Sequence, residues 1–233
     1  MIDRESIRDF TDKDSKVDKY LELYERHDFL TAYSKHTDLR MQADPHWAIG
    51  RGDEWESHGL LQLSFLKEQG LKPYHKLLDV GCGPGRGARR FVPYLDTHNY
   101  VGVDISRECL IYAEHLSLTE GWIDRQPKFL LNGDLQMTDG QNFDFIWAHS
   151  VFTHLPEDQI DTMIRNAAQM LSEGGRFLFT FKRWNAAQRT GLKQFRYPPQ
   201  TFDRISRSYG MKFQQLPMVW PASQRTGMIA RPD

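Results

Sequence analysis

Along this 233-residue chain the apolar positions follow two periods. From residue 77 onward, short runs of Leu, Val, Ile and Phe at 77–80, 101–105, 129–131, 143–147 and 176–181 alternate with longer polar stretches. Within those stretches apolar residues return every three or four positions. The short runs read as buried strands, the third continuing through Asn132-Gly133 to Asp134, and the intervening stretches as amphipathic helices, and this alternation predicts an α/β domain with a parallel sheet. Residues 59–70 form a helix with Leu60, Leu61, Leu63, Phe65 and Leu66 inward, closed by Gly70. Residues 107–118 form another, whose expected inner face is Leu110, Ile111, Ala113 and Leu116. A third covers 157–171, with Ile160, Met163, Ile164 and Ala167 on one side. The last 50 residues hold a helix at 202–209 and two strands near 212–219 and 226–231. Ahead of the sheet, Val17, Tyr20, Leu21 and Tyr24, then Phe29, Leu30 and Tyr33, predict one or two helices within residues 1–57. Asp44-Pro45 and Gly50-Arg51-Gly52-Asp53 punctuate the end of that segment.

The chemistry gathers behind the first strand. Leu77-Leu78-Asp79-Val80 leads into Gly81-Cys82-Gly83-Pro84-Gly85-Arg86, the strand and glycine turn of a nucleotide-binding unit. Glycine suits such a turn because it accepts positive φ and lets a ligand approach the backbone. A dinucleotide fingerprint needs a third glycine at position 86, where this chain has Arg86. Asp79 would also repel a pyrophosphate and attract an ammonium group. The spacing therefore suits S-adenosylmethionine (SAM), which has an amino group, a sulfonium and no phosphate, better than NAD. Asp104 ends the second strand 21 positions beyond Gly83, about the interval at which an acid meets a ribose hydroxyl.

The run L-L-D-V-G-C-G-P-G-R-G resembles the first motif of the class I SAM-dependent methyltransferases, and S-V-F-T-H-L-P at 150–156 resembles members acting on small molecules. The resemblance covers about residues 59–231. It implies a Rossmann-like fold, a seven-stranded, mostly parallel sheet flanked by helices, with residues 1–57 as an N-terminal helical cap and 58–233 as the methyltransferase domain. It implies SAM as cofactor and S-adenosylhomocysteine (SAH) as product. The expected cofactor contacts are Asp79, Gly81, Cys82, Gly83 and Gly85 at the turn, Asp104 and Ile105 at the ribose, Gly133, Asp134 and Leu135 at the adenine, and His149 after the fourth strand. His149 and His154 are the candidates to take the acceptor's proton, with His149 the better placed. Two other readings stand beside this one: a SAM-binding protein without catalysis, and an NAD-type oxidoreductase on a similar fold.

Charge refines the picture. The net charge of −1 gives no general attraction to nucleic acid or membranes, and the Asn-Pro-Pro-Tyr motif of amino-group methylases of adenine and glutamine is absent. Two cysteines, Cys82 and Cys109, make no disulfide framework and suggest a reducing cytoplasm. The segment MIDRESIRDF lacks the apolar core of a signal peptide, and no run reaches the length of a membrane span. The assembly is left open between monomer and homodimer. The charge is unevenly spread: residues 1–57 carry 14 acids against 9 bases, whereas 176–231 carry eleven bases against one acid, Asp203. The long loop after the fifth strand reads as a substrate lid, and Arg183, Trp184, Arg189 and Lys193 are the expected contacts to an anionic metabolite. The same charges would equally face the acid-rich first segment.

Overall fold

In a computed structural model of the chain, residues 14–45, 53–137 and 140–232 are described. The cap residues form α1 (Asp14–Arg26) and α2 (Phe29–Ala43). Asp28 caps α2 by accepting a hydrogen bond from the Thr31 amide at 3.0 Å. The Gly50-Arg51-Gly52 turn lies outside the described residues. Next come α3 (Asp53–Glu68), β1 (Leu77–Val80), α4 (Ala88–Tyr94), β2 (Tyr100–Asp104), α5 (Arg107–Thr119) and β3 (Lys128–Leu131). β4 (Phe143–Ala148), α6 (Glu157–Met170) and β5 (Leu171–Lys182) complete the parallel part. A hairpin of β6 (Gln188–Gly191) and β7 (Gln194–Arg196), then α7 (Pro199–Ser208), β8 (Lys212–Trp220) and β9 (Gln224–Ala230), close the chain.

Seven strands join in the order β3-β2-β1-β4-β5-β9-β8. β1 to β5 run parallel, and β9 is antiparallel to both β5 and β8. The order reverses at β1, so a crevice opens where β1 and β4 diverge at their C-terminal ends.

Helices cover both faces of this sheet, which is why its central strands are continuously apolar instead of alternating. On one face Val80, Val103, Ile146 and Phe179 meet Ile160 and Ile164 of α6 and Phe202 and Ile205 of α7. On the other, Leu77, Trp147 and Leu178 meet Phe65 and Leu66 of α3, Phe91 of α4 and Trp220.

The structure differs from the periodicity in informative places. Ile111, expected inside, is 53% exposed. The buried stripe of α5 is Cys109, Leu110, Ala113 and Ser117. Its small side chains let α5 approach the glycine turn, and a Cβ added at Gly85 would lie 3.4 Å from that of Ala113. Leu60 is likewise exposed, while Gln62 is buried and accepts a hydrogen bond from Trp147 Nε1 at 2.9 Å. β3 stops at Leu131 because Asn132 turns the chain, accepting from the amides of Asp134 and Leu135. α7 begins at Pro199 in place of residue 202, since proline is well suited to the first turn of a helix. The expected loop after β5 is in fact the β6–β7 hairpin.

The two N-terminal helices are tied to the junction of β2 and α5. Ser34 Oγ donates to the Ile105 carbonyl at 2.8 Å, and Ser106 Oγ donates to Asp38 at 2.5 Å. Gln42 reaches Glu108 at 3.1 Å.

Candidate active site

The amides of Gly81 and Cys82 donate to the Val103 carbonyl at 2.8 and 3.1 Å, so the turn after β1 is latched to β2. Gly81 and Gly83 have φ of +66° and +57°, the region that disfavours a side chain. At Gly81 a Cβ would lie 2.5 Å from Val151 Cγ2, whereas at Gly83 it would meet nothing within 4 Å. The backbone at Gly83 is thus open to a ligand. Asp104 stands across from it. Its Oδ2 accepts from the Gly83 amide and its Oδ1 from the Ser106 amide, both at 2.8 Å. Burial raises its pKa, and these amides oppose the rise. Each carboxylate oxygen keeps a further lone pair for a ribose hydroxyl.

Asp79 lies inside the sheet, 3% exposed, and accepts a hydrogen bond from Tyr100 Oη at 2.9 Å. Burial pushes its carboxyl up to about 7, against Tyr100 and the Arg86 guanidinium. The expected fixed anion is therefore a carboxyl poised between its two forms near neutrality. Arg86, at the place of the missing third glycine, brings its guanidinium to 3.5 Å from His149 Nδ1. Cys82 is a buried free thiol, consistent with a small filler of the turn.

At the expected adenine contacts lies an open cleft of about 520 Å³ between α2 and the ends of β2 and β3, lined by Leu30, Ser34, Ile105, Leu131, Gly133 and Asp134. Leu135 is buried beside it, at φ +62°. Apolar walls for a flat ring and one acid for its amino group suit an adenosine, and the open turn at Gly83 accommodates the methionine end. The donors present fit SAM.

The two histidines are set apart by their partners. Because guanidinium only donates, Arg86 makes His149 Nδ1 an acceptor and leaves the proton on Nε2. The His149 ring also packs edge-on to Trp220, with centroids 4.9 Å apart. His154 Nδ1 lies 2.7 Å from the Lys193 carbonyl, which only accepts, so Nδ1 carries the proton and Nε2 has a lone pair. Burial, with Arg86 next, holds His149 well below the usual histidine range; burial, with Lys193 next, lowers His154 to about 3. Both rings are neutral at physiological pH.

Of the expected acceptor contacts, Arg183 and Trp184 are exposed on the segment leaving β5, where Arg196 stacks on Trp184 at 4.9 Å. Arg189 and Lys193 belong to the β6–β7 hairpin, which folds back over the cap. The Arg189 guanidinium lies 5.5–5.9 Å from the rings of Tyr24, Phe29 and Phe195. Lys193 Nζ sits 4.8 Å above the Tyr33 ring. Together with His154 they form a roof over the Asp104 end of the crevice, completed by Tyr33, His36 and Arg40 of α2. The sequence reading had Tyr33 only as a helix position and did not single out His36 or Arg40. Their signal was an i, i+3, i+7 polar stripe on one helix face.

A buried polar clamp also escaped it. Ser150, at φ +64°, donates its amide to Thr180 Oγ1 at 2.7 Å and accepts at Oγ from Gln224 at 3.0 Å. Thr180 in turn donates to Gln224 at 2.6 Å. This network holds the loop after β4 in a conformation that a serine rarely adopts.

Comparison with known proteins agrees with the fold. Residues 78–177 match the family described as methyltransferase domain. A methyltransferase of Streptomyces halstedii, GfsG, is 33% identical over 102 residues, 44% of this chain and 36% of that protein. A sterol 24-C-methyltransferase of Neurospora crassa is 30% identical over 109 residues, 46% of this chain and 28% of that protein. The chain thus spans about a third of the length of these relatives. Among solved structures, magnesium protoporphyrin IX methyltransferase from Synechocystis PCC 6803 with bound SAM superposes at a TM-score of 0.69, with 16% identity, over 88% of this chain and 98% of that one. The fold is that of the class I SAM-dependent methyltransferases.

Proposed function

We propose that this protein is a SAM-dependent methyltransferase that methylates a hydroxyl or amine of a small anionic acceptor. The observation that carries the reading is the Asp104–Gly83 hydrogen bond of 2.8 Å, which joins the β1 turn and the β2 acid into one ligand site. When bound, SAM supplies the electrophilic methyl group. Asp104 holds the ribose, Asp134 meets the adenine with the Leu135 backbone beside it, and Ile105 and Leu131 sandwich the ring. Asp79 and Arg86 are the groups of suitable charge for the amino and carboxylate ends of methionine. The roof excludes water and aligns the acceptor, so proximity does most of the work. Free, buried Cys82 and Cys109 suit a reducing compartment, and no helix among the described residues is long and apolar enough to cross a membrane.

Calorimetry tests the cofactor assignment: SAM and SAH bind and NAD does not. A methyl-transfer screen over anionic metabolites then identifies the acceptor. NAD binding without SAM binding would overturn the assignment, and SAM binding with no acceptor across a broad panel would favour a SAM-binding protein without catalysis.

The histidines have a definite expected result. Since neither titrates between pH 6 and 8, His149→Ala and His154→Ala both retain the acidic limb of the pH–rate profile. Their rates fall by about tenfold or less, a positioning effect, against the ~10²–10⁴ expected for loss of a general base. A vanished limb in His154→Ala would instead make its Nε2 the proton acceptor.

A further inference from the structure

The geometry points to the roof as an anion subsite, in which Lys193, with Arg40 beside it, holds the negatively charged group of the acceptor over the Asp104 end of the crevice. This rests on the methyltransferase reading above and names the part of the acceptor that is recognised. Lys193 is at the tip of the β6–β7 hairpin, its amine above the Tyr33 ring and its carbonyl on His154 Nδ1. Around it stand Tyr33, His36 and Arg40 from α2, His154 from the loop after β4, Cys109 from α5 and Asp104 from β2.

Cationic groups crowd this space, and the carboxylate that acts on Lys193 is Asp104, whose oxygens already serve the Gly83 and Ser106 amides. Two polar atoms buried in the same roof, Tyr24 Oη and His36 Nδ1, have no hydrogen-bond partner, and His36 is 7% exposed. Buried donors without partners are costly, and a carboxylate or phosphate offers them acceptors while neutralising the amine. The aromatic rings of Tyr20, Tyr24, Phe29 and Tyr33 around these groups suit an anion on a flat or apolar body.

One consequence can be measured. Burial and the Arg40 guanidinium lower the Lys193 ammonium to about 7, so this amine is partly deprotonated at neutral pH. An entering anion favours the charged form, and binding takes up a proton above pH 7.

The test uses the full chain saturated with SAH, with benzoate, phenyl phosphate and neutral benzyl alcohol as probes. Calorimetry of benzoate in buffers of different ionisation enthalpy counts the protons. Either anion should bind more tightly than the alcohol, and the better of the two identifies the charged group. Benzoate should take up most of a proton at pH 8 and little at pH 6. Lys193→Met should weaken anion binding by about tenfold or more and abolish the uptake, with SAH affinity within about twofold of the original. Lys193→Arg should restore anion binding without the uptake, because arginine remains charged. Anions binding no better than the alcohol, or proton uptake that survives Lys193→Met, would overturn the proposal. Failure of the underlying methyltransferase reading would appear separately, as loss of SAH binding in the unaltered protein.

Discussion

Asp104→Ala binds SAM on the order of a hundredfold or more weakly than the unaltered protein. Two charge-assisted hydrogen bonds to the ribose are lost, each worth roughly 1.5–3 kcal/mol. The same carboxylate holds the Gly83 and Ser106 amides, so its removal also leaves two donors at the edge of the core without their acceptor. A fall in melting temperature therefore accompanies the fall in affinity, and calorimetry is made well below the variant's transition, with circular dichroism confirming the fold. Asp104→Ala with unaltered SAM affinity would show that the acid only latches the turn and that the ribose is held elsewhere.

Asp79→Asn has the second large effect, and its two readouts move in opposite directions. The folded pKa of Asp79, about 7, lies above the ordinary 3.8. Between those values the native state binds more protons than the unfolded chain, so stability is greatest at low pH and is lost as pH rises from about 4 to 7. The full difference is on the order of 4 kcal/mol. Asparagine removes that slope, and the variant without cofactor melts higher than the unaltered protein at pH 8. Its SAM affinity falls by about tenfold to a hundredfold, because the ammonium loses its counter-charge. For the same reason SAM binding to the unaltered protein releases a proton near pH 6.5. Melting curves across pH and calorimetry in two buffers check both claims. A slope that persists in Asp79→Asn would assign it to another group.

How much of this could be read in advance depends on the range over which each feature is encoded. The glycine turn and Asp104 were legible because their requirement is local: positive φ calls for glycine, and a strand end calls for an acid at a fixed interval. The strands were legible because burial on both faces leaves uninterrupted apolar runs. The inner face of α5 was misread at Ile111 because its buried stripe uses Cys109 and Ser117, which hydrophobicity alone does not mark. Burial raises the Asp79 carboxyl and the hydrogen bond from Tyr100, 21 positions away, opposes the rise, and no local pattern encodes either effect. The roof was least legible. His36 and Arg40 read as an ordinary polar helix face until the β6–β7 hairpin, some 150 residues later, comes down on them. β6 of that hairpin, Gln-Arg-Thr-Gly, has no buried position and so no alternation to announce it.

The bonds from α2 to the β2–α5 junction restrict how this protein could be recombined with others. Ser34 reads the carbonyl of Ile105, the residue after Asp104, and Asp38 reads the hydroxyl of Ser106, the next one along. A chimera carrying foreign N-terminal helices on this sheet would strip two contacts from the strand end that carries Asp104, so exchanging those helices also disturbs the setting of that carboxylate. The β6–β7 hairpin lies in the connection between β5 and α7, far along the chain from that edge, and is the more portable half of the roof.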